Sequence, residues 1–352
     1  MYPHELELEY PLGERLPAPA ELVDVAPGVR WLRMPLPFAL DHIHLWLLRD
    51  RFEGRDGWTL VDCGVASDTI RSLWQQIEAQ ALEGLPIVRV LCTHMHPDHL
   101  GLAAELCERH QAPLWMTLGE YAMGRILSGK LPGTGGEAAS QHFRRHGLTD
   151  PDKLDQLRIR GDQHFSRLVP AMPGHFRRIH GGESIAIGAG NWRVIIGHGH
   201  SPEHAALYEA HDRLLISGDM VLPRISTNVS VHPIEPEADP VNSYLQSLAR
   251  LGECAADTLV LPSHGRPFRG LHTRVRQQQE HHEARLLDTL QACRGQPCSA
   301  IDLLPVLFHR PLDLHQSSFA IGEAIAHLHA LLSRGQVRRE ADRDGVIRFE
   351  AA

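Results

Sequence analysis

The stretch CTHMHPDHLG, from Cys92 to Gly101, places three histidines and an aspartate within six residues. It directly follows the apolar run of residues 87–91, so these side chains lie where a predicted strand ends. On a tight loop the H-x-H-x-D-H spacing separates into two sets, His94 with His96 and Asp98 with His99. Catalytic zinc binds imidazole and carboxylate groups and keeps one position open to solvent. The motif therefore predicts two neighbouring metal ions, and neither set is complete without ligands from elsewhere in the chain.

Three further residues are candidates to complete the two sets. They are His200 in GHGHSPEH, Asp219 in LLISGDM and His264 in VLPSHG. Each follows a short apolar run that ends in a turn, which is where α/β proteins place their sites. We expect the three side chains to meet the loop after residue 91.

The elements around these motifs alternate between strands and helices. Apolar runs predict strands at 29–34, 42–48, 58–64 and 87–94, and helices are predicted from residue 67 and from Pro97. Residues 118–170 are expected to form a helical insertion that could act as a lid, with a flexible break at PGTGG. Further strands, a helix over 240–251 and a long helix over about 271–293 follow. This order predicts an α/β (α+β) fold in which helices cover both faces of a β-sandwich.

The end of the chain has an organisation of its own. RGQPCS at 294–299 suggests a boundary, giving a domain over 1–295 and a small one over 296–352. The second segment reads as two helices and a hairpin turned at Asp344-Gly345, the order of a winged helix. Six arginines stand against seven acidic residues between 297 and 352, so a nucleic-acid partner is not favoured. We expect this domain to serve in packing or homodimerisation.

Composition narrows the class of protein. The chain has 352 residues, 43% of them hydrophobic, and a net charge of -8, which gives no general attraction for nucleic acid or an anionic membrane. The acidic start MYPHELELEY and the lack of a long apolar run predict a cytoplasmic protein with no membrane segment. The six cysteines form no C-x-x-C, and we expect them to be reduced and structural.

THMHPDHLG, GHSPEH, SGD and PSHG together resemble the motifs of the metallo-β-lactamase superfamily, in the family's order and roughly its spacing. The resemblance covers about residues 30–270 and implies an αββα metallo-β-lactamase sandwich, with a tail like the winged-helix-like domain of one subgroup. It also implies a ligand set for each metal, with Asp219 bridging: His94, His96 and His200 for one, and Asp98, His99 and His264 for the other. Asp98 would also be the catalytic residue that orients the nucleophile or moves a proton.

Other residues are candidates for supporting roles. Asp62, in LVDCG, matches an acidic family position and is expected to orient the metal ligands. His198 and His204 are expected to do the same, by contacting ligand side chains without binding metal themselves. Candidate substrate contacts, for which ordinary turn packing is the alternative, are His44, Arg224, Asn228 and His232. An apolar substrate pocket is expected from Trp115, Met116, Tyr121, Met123 and Leu127.

These expectations predict a hydrolase. Two divalent ions, Zn²⁺ in the first place with Fe or Mn as alternatives, would activate water and polarise a carbonyl. The substrate would be a small molecule: an ester, thioester or lactone of an organic acid. Three alternatives remain open: a metal-dependent phosphodiesterase or ribonuclease, redox chemistry at a di-iron site, and a non-catalytic interaction module stabilised by metals.

Overall fold

Two β-sheets carry the fold, which we describe from a computed structural model for residues 3–38, 40–161, 164–309 and 311–352. A 3₁₀ helix, Pro3–Glu7, precedes the first sheet. That sheet has seven strands in chain order. The first four strands pair antiparallel, and from the fourth strand onward the neighbours are parallel. They are β1 (Leu22–Ala26), β2 (Val29–Pro35), β3 (His42–Phe52), β4 (Arg55–Val61), β5 (Ile87–Leu91), β6 (Leu114–Met116) and β7 (Arg177–Arg178).

Helices connect the parallel strands of this sheet, because parallel neighbours need a crossover. Helix α1 (Asp68–Gln80) joins β4 to β5 and is capped by the Ser67 side chain, which accepts a hydrogen bond from Ile70 N. The next crossover contains α2 (Pro97–Leu100) and α3 (Ala103–His110). The predicted single helix after Pro97 is therefore two short ones, and the histidine-rich loop leaves the carboxyl end of β5 as expected.

The second sheet has five strands in the order β12-β11-β10-β9-β8. Strand β11 is parallel to β12, and α8 (Pro240–Leu251) forms their connection with the residues predicted from sequence. The strands are β8 (Ser184–Ile187), β9 (Gly190–Gly197), β10 (His204–Glu209), β11 (Leu214–Gly218) and β12 (Leu259–Pro262).

The two sheets pack face to face. Trp31 and Trp46 of the first sheet share one buried cluster with Leu207 and Ile216 of the second. The outer face of the first sheet packs against α1 and α3, and a separate cluster joins the second sheet to the helices that follow it. Full burial of one such side chain contributes about 1.5–3 kcal/mol. The predicted αββα sandwich is confirmed.

The described residues of the insertion form four helices: α4 (Leu118–Ser128), α5 (Gly136–Arg145), α6 (Pro151–Gly161) and α7 (His164–Leu168). The PGTGG stretch is more than a flexible link, because its last glycine, Gly136, begins α5 and a Cβ there would clash with the Arg158 carbonyl of α6. The structure corrects the expected apolar pocket. Trp115 lies between the two sheets, with the Arg89 guanidinium 4.7 Å from its ring, and Met116 is fully buried in the core.

The end of the chain contains α9 (Leu271–Gly295), α10 (Ala300–Leu307), α11 (Leu314–Ser333), β13 (Val337–Ala341) and β14 (Ile347–Ala351). The strands form the predicted hairpin, and Gly345 in its turn has φ +77°. Helix α11 packs against α8, α9 and α10, which buries Ile325 and Leu328 within the chain. The domain boundary at 295/296 and the winged-helix comparison stay predictions. Within the described residues, no helix is long and apolar enough to cross a membrane.

Candidate metal centre

Three histidines and one aspartate converge in the first cluster. His94 Nε2 lies 2.9 Å from His96 Nδ1 and 3.2 Å from His200 Nε2. Asp219 Oδ2 lies 3.4 Å from His200 Nε2 and 3.9 Å from His94 Nε2. Three distant segments therefore meet here: the loop after β5, the turn after β9 and the end of β11.

The second cluster lies beside the first. Asp98 Oδ2 is 3.7 Å from His99 Nε2 and 3.4 Å from His264 Nε2. The other oxygen of Asp219, Oδ1, is 3.5 Å from His99 Nε2 and 3.4 Å from His264 Nε2. Asp219 thus presents one carboxylate oxygen to each set of histidines.

The geometry and the donor atoms fit a pair of divalent cations. Ligands at 2.0–2.1 Å from a tetrahedral zinc ion lie about 3.3 Å apart, and the observed separations bracket that value. His99 Nε2 and Asp219 Oδ1 are buried and have no hydrogen-bond partner among the described residues. Because a buried polar atom without a partner is costly, these two atoms indicate that an ion belongs between them.

Burial keeps two histidines of the first cluster, His94 and His96, in the form that binds metal. It lowers the pKa of His94 and His96 well below the usual histidine range. His94 Nδ1 contacts the Thr93 hydroxyl at 3.0 Å, so its Nε2 lone pair is directed into the cluster. Metal ions require neutral imidazole, which this environment supplies.

Carboxylates dominate the electrostatics of the second cluster. Burial alone would lower the pKa of His264 and of His99. Asp219 and Asp98 nevertheless raise the pKa of His264 to about 10. The pKa of His99 is also raised, and Asp62 is the strongest of the carboxylates responsible. Against the same opposition from burial, His99 and His264 lower the pKa of Asp98 to about 2. This potential stabilises any cation between the carboxylates, and a divalent ion would replace the protons on Nε2.

Asp62 orients His99 from behind. Its Oδ2 lies 2.8 Å from His99 Nδ1, while its Oδ1 accepts a 2.8 Å hydrogen bond from Thr93 N. The Asp62 backbone has φ +64°, a left-handed conformation that aspartate tolerates better than most residues. The carboxylate keeps the proton of His99 on Nδ1, which leaves Nε2 free for a metal.

His204 of the second sheet supports Asp219, and His42 of the first sheet supports His264. His204 Nε2 accepts a 3.1 Å hydrogen bond from Asp219 N, and a Cβ on Gly218 would collide with that imidazole. Burial lowers the pKa of His204 to about 3, so the ring is a neutral acceptor. His264 Nδ1 donates to the His42 carbonyl at 2.7 Å, an anchor that the sequence reading did not identify.

Glu120 is another residue that the sequence reading missed. It is fully buried on α4, and its carboxylate accepts hydrogen bonds from Met95 N at 2.9 Å, Glu203 N at 2.6 Å and Ser201 Oγ at 2.7 Å. Glu120 therefore connects the loop that carries His94 and His96 to the turn that carries His200. An acidic residue in the first turn of a helix is ordinary, so no sequence signal distinguished it.

The remaining candidates have different surroundings. His44 is fully buried beside Trp31, with ring centroids 4.8 Å apart, and its Nδ1 lies 3.2 Å from the Pro262 carbonyl. It supports the strand that precedes His264 and has no surface to offer a substrate, which corrects its expected role. His198 contacts the Pro202 carbonyl through Nδ1 at 2.6 Å, so it closes the turn around His200.

Three candidate substrate contacts lie on the segment after β11. The carbonyl of Asn228 is 2.8 Å from His200 Nδ1, which makes this residue a positioning group for a ligand. The Asn228 side chain accepts a hydrogen bond from Ser230 Oγ at 2.9 Å. His232 and Arg224 are exposed, and His232 lies close enough to His200 for their charges to interact.

The chain is similar to family models and to proteins of known structure. The family model described as metallo-beta-lactamase superfamily matches residues 41–264, and one described as metallo-beta-lactamase-like, C-terminal domain, matches residues 286–352. The crystal structure of a beta-lactamase domain protein from Burkholderia ambifaria is 54% identical, covers 99% of each chain and has a TM-score of 0.94. A metallo-beta-lactamase family protein from Thermus thermophilus, TTHA1429, is 28% identical over 94% of this chain and 100% of its own, with a TM-score of 0.76. The protein named probable metallo-hydrolase YqjP, from Bacillus subtilis, is 25% identical over 85% of this chain and 91% of its own.

Proposed function

Because this chain belongs to the metallo-β-lactamase superfamily, we propose that it hydrolyses an ester, thioester or lactone of a small organic acid at a dinuclear metal centre. It is a metal-dependent hydrolase, the class that the name of the Bacillus relative also gives. The observation that carries the dinuclear proposal is the position of Asp219, with Oδ2 facing His94 and His200 and Oδ1 facing His99 and His264. Zn²⁺ suits this donor set best, and Fe and Mn are the alternatives.

Two divalent cations held by these residues would supply a Lewis acid and a water of lowered pKa. The protein's part is to position groups around that water. Asp98 directs Oδ2 toward His99 and His264, and its Oδ1 makes no hydrogen bond with the described residues. With its side chain 18% exposed, Asp98 would accept a hydrogen bond on Oδ1 from the attacking water and orient it.

Charge around the site supports an acyl substrate over a polymeric phosphodiester. Within the described residues, the ion-pair contacts of Asp98 and Asp219 are all with histidines. An enzyme that binds a polyanion needs arginine or lysine beside the metals to neutralise successive phosphates. A neutral or singly charged acyl compound has no such need.

The test is a panel of aryl esters, thioesters and lactones measured beside bis-aryl phosphodiesters and single-stranded RNA, with metal-loaded protein. His94→Ala, which lacks a ligand of the first cluster, is the blank. Turnover of acyl substrates above that blank, and above the phosphodiesters, is the expected result. Turnover of the phosphodiesters or RNA alone would make the protein a nuclease or phosphodiesterase. No turnover of any substrate would favour the interaction module.

A further inference from the structure

A cavity of about 210 Å³ lies where three parts of the chain meet. Helix α5 and its C-cap residue contribute His142, Arg145 and His146, the segment before α8 contributes Glu237, and strand β13 contributes Arg339. The volume is far above what one water molecule needs, so a small organic group fits. None of these residues belongs to the metal clusters.

The walls of this cavity carry a surplus of positive charge. Arg339 is paired with Glu237 at 2.7 Å, whereas Arg145 is exposed and has no carboxylate partner among the described residues. His142 and His146 are buried, and one ring nitrogen of each, Nε2 and Nδ1 respectively, lacks a hydrogen-bond partner in the described part of the chain. The unpaired guanidinium of Arg145 beside the unused Nδ1 of His146 suits a carboxylate or phosphate, whereas His142 directs its ring proton to the Val231 carbonyl.

A short segment connects the cavity to the metal centre. The Asn228 carbonyl holds His200 Nδ1, and three residues later the Val231 carbonyl faces the His142 imidazole. Three residues of extended chain span at most about 11 Å. The cavity therefore lies near the metal centre, at a distance comparable to the length of an elongated small molecule.

We propose that this cavity binds the anionic end of the substrate, a carboxylate or phosphate group, while the scissile acyl bond lies at the metals. Arg145 is the main contact, and Arg339 contributes from the C-terminal hairpin. The proposal rests on the proposed function and narrows its substrate class to acyl compounds with a distal acidic group. It also gives the C-terminal segment a direct role in specificity.

The test compares Arg145→Ala with Arg144→Ala, a matched control at the exposed neighbouring position on α5. The substrates are p-nitrophenyl octanoate and the p-nitrophenyl half-ester of suberate, which differ in the distal carboxylate. We expect Arg145→Ala to lower kcat/KM at least about tenfold on the suberate half-ester and to leave octanoate hydrolysis unchanged, since a hydrogen bond to a charged group is lost. Equal losses on both esters, or none on either, would overturn the proposal, as would the same loss in Arg144→Ala.

A binding measurement separates this proposal from the function on which it rests. Suberate and inorganic phosphate are titrated calorimetrically into metal-loaded wild type, Arg145→Ala, Arg144→Ala and His94→Ala, with melting temperatures as the check on folding. At least one anion should bind in the wild type, His94→Ala and Arg144→Ala and bind at least about tenfold more weakly in Arg145→Ala. Binding that is absent from the wild type, or unchanged in Arg145→Ala, would refute the anion site. Arg145-dependent binding without hydrolysis of any ester would refute the function and leave the anion site standing.

Discussion

The substitution Asp62→Asn tests how the second cluster is built. Asparagine keeps the size of the side chain and tolerates the φ of +64° at this position. The aspartate oxygens face Thr93 N and His99 Nδ1, each at 2.8 Å, and the Thr93 hydroxyl also donates to them. Because an amide has one oxygen, asparagine cannot accept from both Thr93 N and His99 Nδ1. If its oxygen stays with Thr93 N, its NH₂ group faces His99 and forces the imidazole proton onto Nε2.

The expected cost follows from that rearrangement. A metal at the second cluster must then displace a proton from His99 Nε2, and loss of a carboxylate behind a metal-binding histidine typically weakens affinity 10- to 100-fold, or about 1.4–2.8 kcal/mol. The first cluster should change less, because Asp62 reaches His94 only through the Thr93 hydroxyl, which can still donate to an asparagine oxygen. Asp62→Asn should therefore hold one metal tightly and a second one weakly.

Competition with a chromophoric chelator measures both affinities. Asp50→Asn is the matched control, because Asp50 is also a buried carboxylate, paired with Arg89 at 2.5 Å, and it lies outside both clusters. The control should lose stability to urea but keep both metal affinities. Equal weakening of the two sites in Asp62→Asn, or an unchanged second site, would refute the reasoning.

Four further outcomes are expected. Asp219→Ala should lose activity and retain at most one metal per chain by elemental analysis, whereas the wild type should hold two. The reason is that the shared carboxylate offsets the repulsion between the two cations. Two metals or full activity in the variant would rule out a bridging role for Asp219. Glu120→Ala should lower the free energy of unfolding by about 3–6 kcal/mol, because three donors lose their acceptor, and Glu120→Gln by less, as urea titration would show. Burial lowers the pKa of His282 to about 2, so as the pH falls below about 6.5 the unfolded chain takes up a proton at this residue before the folded chain does, and the free energy of unfolding decreases. In metal-free protein, His282→Asn should remove about 2 kcal/mol of the stability lost between about pH 6.5 and about pH 5. An unchanged dependence of the free energy of unfolding on pH would contradict this. Deletion of residues 297–352 should expose the apolar surface that packs against α11 and cause aggregation or a new oligomeric state in light scattering. Salt-sensitive binding of duplex DNA by the full chain would contradict the packing role of this segment.

The elements that position the site were largely readable from local pattern. Strands β2 to β5 and helix α8 lie where apolar periodicity and capping residues indicated, because those signals act over neighbouring residues. Local pattern does not indicate the surroundings of a side chain when those surroundings come from another sheet. His44 and Trp115 looked available for a substrate, yet β-sandwich packing buries both. Their own neighbours in sequence carry no information about which face of the sheet is covered.

The sequence by itself determined which groups could bind metal, because the ligand types and their places at strand ends are local properties. Only the tertiary structure decided how Asp219 divides its two oxygens between the clusters, which carboxylate stands behind His99, and that Glu120 joins two ligand loops. It alone also brought Arg145 and Arg339, 194 positions apart by number, to the wall of one cavity. Such contacts depend on long-range packing of sheets and helices, in which residues far apart in the chain lose contact with water together, and no local pattern encodes that choice of neighbours.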